Sequence, residues 1–427
     1  MSKTYYLWNI GCQMNQADAD RLAEALQARG YRSTPDPARA DLLLLNTCVV
    51  RQSAEDRVIG RLNSLRPIKQ RDGQKALVVM GCFVDDPAAL AQRFDFVDAF
   101  FKPSDLAGVL AFVDRRNGTG EGAPSPAAPA HVVEYVPISY GCDHHCTYCI
   151  VSLRRGAQRS RPPEEIVAEV RDLVARGARE ITLLGQNVDS YGTDLPGRPD
   201  LADLLRAIHD APGLWRIRFL TSHPADMTTR LIETVASLPK VCPSWELAVQ
   251  SGDDTVLKRM GRGYTIAQFL HLVEQIRARM PECALNTDII VGFPGETEEQ
   301  FEHTLHLLRT VRFDVVHVAA YSPRPGTPAA RLADDVPPEE KERRRALVEA
   351  LQTQIAGEIN ARLLGQEVVI LVDGRQKGRW RGRTRTNKLV FFESAEDWLG
   401  RLARVRITWA GPWSLIGEVV GAVPCEP

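Results

Sequence analysis

The segment Ile138–Val151, ISYGCDHHCTYCIV, puts Cys142, Cys146 and Cys149 within eight consecutive residues. Three sulfurs are one short of a four-ligand metal site, so the C-x3-C-x2-C spacing raises the question of what stands fourth. A zinc ion completed by His144 or His145 is one answer, although structural zinc sites usually draw ligands as separated pairs. A four-iron cluster is another. Such clusters normally take four cysteines, so three leave one iron open to an outside ligand. Three packing thiols is the remaining reading.

The sequence around the triplet alternates strand-like and helix-like segments. Six apolar runs (EYVPISYG, EITLLGQNV, RIRFLTS, SWELAVQSG, ALNTDIIVGF and DVVHVAAYS) are separated by amphipathic stretches such as PPEEIVAEVRDLVARG and ETEEQFEHTLHLLRTV. Six strand–helix units are too few for an eight-unit barrel and predict a partial, TIM-like one. The cysteine triplet follows the first of these strands, where barrels carry their active-site loops. Polar residues alternate on later strands: Glu246, Ala248 and Gln250 on one, Asn286 and Asp288 on the next. Polar groups inside a barrel need partners. A bound cofactor supplies them for Gln250 and Asp288, or the side chains bond one another. Ser222 and His223 end the third strand, where a lone histidine reads as structural. Arg154, Arg155, Arg159 and Arg161 follow the triplet and either meet phosphate or carboxylate groups or lie solvated on the surface.

Residues 1–120 read as a parallel α/β domain. Three strands, TYYLWNIGC, ADLLLLNTC and KALVVMGC, each run into a cysteine: Cys12, Cys48 and Cys82. Ligands collect beyond the carboxyl ends of parallel strands, so these three thiols are expected to converge. Asn117–Ala130, NGTGEGAPSPAAPA, reads as a flexible linker, assigned to 121–130. The partial barrel occupies 131–362, and 363–427 reads as a small all-β barrel. From Gly374 to Phe392 there is no acidic residue, and Arg375, Lys377, Arg379, Arg381, Arg383 and Arg385 alternate. If that segment is one extended strand, the six cations share a face opposite Trp380, which suits a polyanion such as RNA. The chain has 427 residues and a formal net charge of −1, so any nucleic-acid footprint is local. Met1–Ile10 shows no signal-peptide pattern and Leu42–Val50 is too short to cross a bilayer, which predicts a cytoplasmic protein with no membrane partner. Disulfides are then not expected among the nine cysteines. Cys242, Cys283 and Cys425 lack ligand spacing and read as packing thiols.

The triplet with Tyr148 before its last cysteine resembles the radical SAM superfamily. The motifs GCQMNQADAD, NTCVVR, MGCFV, RGAQRSRP, GQNVDSYG, VQSGDDTVLKRMGRGYT, TDIIVGFPGETEEQF, SPRPGTPA and GRTRTNKLVFF occur in the order of its methylthiotransferase family. GCQMN and GQNVDSYG are most similar to the MiaB-type branch, which acts on isopentenyl-adenosine in tRNA. The resemblance implies two [4Fe-4S] clusters, one on Cys12, Cys48 and Cys82, the other on Cys142, Cys146 and Cys149. S-adenosylmethionine is then the missing fourth ligand, with Tyr148, Gly185, Gln186, Gln250 and Asp288 as cofactor contacts. The last domain resembles TRAM, an RNA-binding module. The implied activity is 2-methylthiolation of isopentenyl-adenosine at position 37, beside the anticodon. It consumes two molecules of S-adenosylmethionine, with sulfur carried on the first cluster. Implied partners are the tRNA anticodon stem-loop, an electron donor such as flavodoxin or ferredoxin, and a sulfur donor. Related acceptors are threonylcarbamoyl-adenosine in tRNA and a ribosomal-protein aspartate, and a metal-stabilised, non-catalytic RNA binder is the reading of another class. Two stretches depart from the branch. Ile150–Gln158 lacks the proline and paired glutamates usual after the triplet, and Gly185-Gln186 stands where many radical SAM enzymes have Gly-Glu.

Overall fold

The run Leu42–Leu45 lies fully buried at the centre of an open parallel sheet because helices cover both of its faces. The computed structural model describes residues 3–50, 52–117 and 129–424. Residues 121–128 of the expected linker, and Cys425, lie outside them. The chain divides into two units. The first contains strands β1 (Thr4–Asn9), β2 (Arg32–Ser33), β3 (Leu42–Thr47), β4 (Ala76–Gly81) and β5 (Ala99–Phe101), in the order β2-β1-β3-β4-β5. Its helices are α1 (Gln13–Ala28), α2 (Gln52–Arg71), α3 (Pro87–Arg93) and α4 (Leu106–Asn117). Side chains on a strand alternate between faces. Leu43, Leu45, Leu77 and Val79 therefore pack with Val58, Leu62 and Leu65 of α2. Leu42, Leu44 and Val78 pack on the opposite face with Leu22 and Leu26 of α1 and Val109 and Val113 of α4. Each such buried aliphatic contributes about 1.5–3 kcal/mol. The register aligns Asn9 with Asn46 and Thr47 with Gly81, so β1, β3 and β4 end side by side. Tyr140–Asp143 and Cys149–Ala157, which includes helix α5 (Val151–Arg155), also belong to this unit.

The second unit carries the six expected strands as β6 (Val133–Pro137), β9 (Glu180–Leu184), β10 (Arg216–Phe219), β11 (Ser244–Glu246), β12 (Ala284–Val291) and β13 (Val315–Ala320), with the short β7 (Ser139–Tyr140) and β8 (Arg159–Ser160) between the first two. They form two parallel sheets, β10-β9-β6 and β11-β12-β13. Parallel bridges Ile217–Val241 and Ser222–Leu247 join β10 to the chain around β11. Six strands thus follow one another around a partial barrel. Helices α6 (Pro163–Ala175), α7 (Leu201–His209), α8 (Thr229–Ser237), α9 (Asp254–Met260), α10 (Ile266–Arg279), α11 (Glu298–Val311) and α12 (Pro338–Ala361) complete the layer. The sequence signals their starts well: α10 and α11 both open with a capping box, Thr265 with Gln268 and Thr297 with Gln300.

The C-terminal strands β14 (Glu367–Gln376), β15 (Arg379–Arg383), β16 (Leu389–Phe392), β17 (Leu402–Ala410) and β18 (Leu415–Val423) close into a barrel in the order β14-β15-β16-β18-β17. The expectation of one extended cationic strand is corrected here. The chain turns at Lys377 and Gly378, both with positive φ (49° and 82°), so Arg375 sits opposite Trp380 in a hairpin. Directly opposed residues share a face, and the Arg375 guanidinium lies 4.2 Å from the Trp380 ring centroid. The six cations therefore do not share one face: Arg379, Arg381 and Arg383 alternate with Trp380 on β15 and face away from it, while Arg375 lies on the Trp380 side.

Two basic strand residues fasten this barrel. Arg216 and Arg218 share one face of β10, opposite Ile217 and Phe219, which join the helix-packed core. Arg218 Nε donates to Glu180 Oε1 (2.8 Å), while its Nη1 and Nη2 donate to the carbonyls of Arg385 (2.8 Å) and Thr384 (2.7 Å). Arg216 Nη1 donates to the Arg383 carbonyl at 2.6 Å.

Candidate functional site: two sets of three cysteines

Cys12, Cys48 and Cys82 follow β1, β3 and β4 directly or within three residues, and all three are free thiols. Asn15, on the first turn of α1 and fully buried, fixes two of their loops. Its Nδ2 donates to the carbonyls of Ile10 and Thr47 (both 2.9 Å), and its Oδ1 lies 3.7 Å from Cys12 Sγ. Gly11 has φ +136°, and a Cβ there would stand 2.8 Å from both Asn15 Nδ2 and Cys48 Cβ. Only glycine allows that approach. Burial, aided by neighbouring Cys82 and Cys12, pushes the Cys48 thiol up to about 11. Burial raises Cys82 as well, opposed by Arg155. Buried, mutually repelling thiols are costly as bare anions and favourable as metal ligands.

The second set lies on the chain that follows β7. In the first unit, Cys142 N donates to the Gly156 carbonyl (3.1 Å), and Gly141 (φ +75°) would put a Cβ 2.1 Å from the Ala157 carbonyl oxygen. In the second unit, Thr147 is held by three bonds: its N to Met260 O (2.9 Å), its Oγ1 to Arg259 O (2.8 Å), and its carbonyl from Ala329 N (2.8 Å). Tyr148 packs against Val256, Met260, Phe293 and Tyr321. Arg262, 4% exposed, donates from Nη1 to Cys146 Sγ (3.4 Å) and from Nη2 to the Ala248 carbonyl (2.6 Å). Nothing in the C-x3-C-x2-C spacing pointed to Arg262.

The zinc reading meets a geometric objection. His144 Nε2 lies 2.5 Å from Asp226 Oδ2, not on sulfur, and its ring stacks on His223 at 3.8 Å and 10°. His144, His223 and Asp226 are the one group of His, Cys, Asp or Glu tight enough for a single ion among the described residues. Parallel stacked rings cannot both aim an in-plane lone pair at one tetrahedral ion. Burial, with Arg262 and His144 beside it, lowers the His223 imidazole to about 3, so its ring is neutral. Its Nδ1 accepts from Ala225 N (3.2 Å), which leaves Nε2 as a buried donor without an acceptor.

Around the carboxyl ends of the barrel strands, two non-glycine residues adopt φ +74°, Thr221 and Gln250. Such strain collects at functional sites. Gln250 N donates to Asp288 O, and Ile290 N to Gln250 O (both 2.9 Å), so both cofactor candidates sit on one ladder. Gly185 is buried, with no room for a side chain beside Ser139 Oγ, and Gln186 is half-buried. Ser139 Oγ is itself buried without a partner. Glu246 Oε1 accepts from Asn286 Nδ2 at 2.7 Å, so these two bond one another; burial raises Glu246 to about 7. Asp189, also driven by burial to about 7, accepts from Ser222 Oγ and His223 N. Unpartnered Ser139 Oγ, His223 Nε2 and Asn286 Oδ1 are what a polar cofactor would satisfy.

Among the arginines after the triplet, Arg154 pairs with Asp85 (2.7 Å) and Arg161 with Glu169 (2.6 Å), Arg159 is exposed, and Arg155 is buried beside Cys82. Of the C-terminal cations, Arg379 pairs with Glu393 and Arg381 with Asp373 (both 2.9 Å). Arg383 donates to the Asn387 carbonyl, and Arg385 to those of Pro239 and Val241. Arg375 and Lys377 are the exposed members. Cys242 is buried near Arg218, Glu180, Arg216 and Arg385, and Cys283 is half-buried against the apolar core.

Known proteins share this layout. Residues 136–308 match the Radical SAM superfamily, 4–102 the uncharacterized protein family UPF0004, and 361–420 the TRAM domain. The chain is 52% identical over 426 residues to a tRNA-2-methylthio-N(6)-dimethylallyladenosine synthase of Roseiflexus sp. (strain RS-1), covering 97% of this chain and 89% of that one. It belongs to that methylthiotransferase family. The family member named alike in Herpetosiphon aurantiacus is 49% identical, with 98% and 97% covered. In fold, the chain is similar to TsrM, a radical S-adenosylmethionine methyltransferase from Kitasatospora setae solved with cobalamin and a [4Fe-4S] cluster. The TM-score is 0.57 at 16% identity, with 77% of each chain covered. The cobalamin-dependent radical enzyme OxsB gives 0.54 at 12% identity, over 84% of this chain and 67% of that one. No described helix is long and apolar enough to cross a membrane.

Proposed function

We propose that this chain converts N6-dimethylallyl-adenosine (isopentenyl-adenosine) at position 37 of tRNA to its 2-methylthio derivative. The observation that carries this reading is end-to-end identity near one half with synthases of that name, in a chain with two sets of three free cysteines. Cys12, Cys48 and Cys82 would hold one [4Fe-4S] cluster and Cys142, Cys146 and Cys149 the other, each lacking a fourth protein ligand. Bound there with S-adenosylmethionine, they supply the radical that removes hydrogen from an unactivated carbon and the sulfur that replaces it.

The chain's own residues do the positioning. Asn15 ties the Cys12 loop to the end of β3, and Arg262 places a cation on Cys146. Tyr148, Gly185, Gln186, Gln250 and Asp288 border the cofactor, with the buried His223 Nε2–H as a further donor. Arg375, Lys377 and Arg379 meet the RNA backbone, while Arg381, Arg383 and Arg385 hold the hairpin and its attachment. The domains run 1–120, 131–362 and 363–427, joined by 121–130. A low-potential donor such as flavodoxin or ferredoxin supplies electrons, a separate donor supplies sulfur, and the reaction takes place in the cytoplasm.

Mass spectrometry of tRNA nucleosides from a deletion strain tests the assignment. Loss of the methylthio-dimethylallyl nucleoside, restored by the parent gene, is the expected result. Loss of a methylthio-threonylcarbamoyl nucleoside or of a ribosomal-protein aspartate modification instead would assign another acceptor. In vitro, Cys12→Ala should retain cleavage of S-adenosylmethionine and lose methylthiolation, while Cys146→Ala loses both.

A further inference from the structure

Arg155 is 8% exposed, so its charge is removed from water. Its Nη2 donates to Asn15 Oδ1 and its Nη1 to Ser104 Oγ, both at 3.0 Å. Both acceptors are neutral. Asp18 is bonded through Ser104, whose Oγ donates to Asp18 Oδ2 at 2.8 Å, and its carboxyl also acts on the guanidinium through space. The guanidinium is within hydrogen-bonding reach of Cys82 and feels the charge of Cys12. A buried cation needs a counter-charge, and an uncompensated one costs several kcal/mol. Here sulfur in its anionic, ligand form is the first counter-charge, on Cys82, with the Asp18 carboxyl second. Each electron or sulfur anion added to a thiolate-held cluster makes the assembly more negative, and a fixed cation beside a ligand sulfur favours the more negative state.

We propose that Arg155 is the fixed counter-charge of the cluster held by Cys12, Cys48 and Cys82, biasing it toward its one-electron-reduced and sulfur-bearing states. The inference rests on the reading that those cysteines carry a cluster. Arg155 acts through the ligand sulfur and is a positioning residue. It lies six residues beyond Cys149, so the stretch that carries the second set also sets the electrostatics of the first.

The test uses the full chain with Cys142, Cys146 and Cys149 changed to alanine, so that one cluster remains. After anaerobic reconstitution, iron content and the midpoint of a dithionite titration followed by electron paramagnetic resonance are measured. Arg155→Met should keep the iron and shift the one-electron equilibrium at least tenfold toward the oxidised form, about 59 mV. Arg155→Lys, which keeps the charge, should stay close to the parent. A parental midpoint in Arg155→Met, or an equal shift in Arg155→Lys, overturns the proposal. If Arg155→Met fails to bind iron, Arg155→Lys decides: loading at the parental midpoint supports the charge, and failure to load overturns it. A parent without iron would instead refute the cluster reading itself.

Discussion

Replacing Asn15 with leucine keeps the branched shape in a larger side chain and deletes the polar contacts that the Asn15 side chain makes at the root of the first cysteine set. Four contacts go: two bonds donated to Ile10 O and Thr47 O, one accepted from Arg155 Nη2, and the weak one from Cys12 Sγ. Thr47 O keeps its bond from Cys82 N, so that loss is the ordinary net value of about 1 kcal/mol. Ile10 O, only part-buried, loses about 1–2 kcal/mol, and the buried charged donor Arg155 about 1.5–3 kcal/mol. The sum, about 4–6 kcal/mol, is a large part of the 5–15 kcal/mol that holds a typical domain together. The damage falls where β1 and β3 deliver their cysteines, while the sheet's apolar layers on either side are untouched. Asn15→Leu should therefore fold with native far-ultraviolet circular dichroism, unfold at lower urea, and reconstitute with about four irons where the parent takes about eight. Full iron loading with an unchanged urea midpoint would refute the claim that Asn15 organises this set.

Arg262→Met should keep the iron of the first set and lose reductive cleavage of S-adenosylmethionine, read as 5′-deoxyadenosine by liquid chromatography. Gly141→Ala forces a Cβ to 2.1 Å from the Ala157 carbonyl at φ +75°. It should cost about 1–3 kcal/mol and abolish cleavage of S-adenosylmethionine. Glu246 has a folded-state pKa raised to about 7, so its contribution is complete below its unfolded value and is lost as pH rises through 7. Metal-free Glu246→Gln should gain on the parent by roughly 3 kcal/mol at most between pH 5 and 9, measured by urea unfolding. Arg218→Met strands the buried Glu180 carboxylate and should cost about 3–5 kcal/mol, with earlier proteolysis in the C-terminal barrel.

The two sets of three cysteines were legible in the sequence, because parallel strands end together and because C-x3-C-x2-C has few uses. It carried the six barrel strands for the same reason: helices bury both faces, leaving continuous apolar runs. The supporting polar residues were hidden. Asn15 and Arg262 lie inside recognisable motifs, yet their roles depend on carbonyls and sulfur brought near by other elements. Asp189 and Asp226 look like ordinary loop acids until burial and the two stacked histidines are seen. The C-terminal cations misled because alternation was read through a turn. Lys377-Gly378 was the available signal, since glycine tolerates the positive φ that a tight hairpin demands. Asp373 and Glu393, just outside the acid-free window, neutralise Arg381 and Arg379 across the strands.

Arg216 and Arg218 donate to main-chain oxygens of residues 383–385. A carbonyl is present whatever residue bears it, so these bonds are blind to sequence on one side, unlike those that the Arg385 side chain donates to Pro239 and Val241. Arg375, Lys377 and Arg379, proposed above as RNA contacts, lie at the turn end of the same hairpin, so on that proposal they could change without loosening these bonds. A lineage could thus retune which transfer RNAs it grips while leaving the catalytic barrel unaltered.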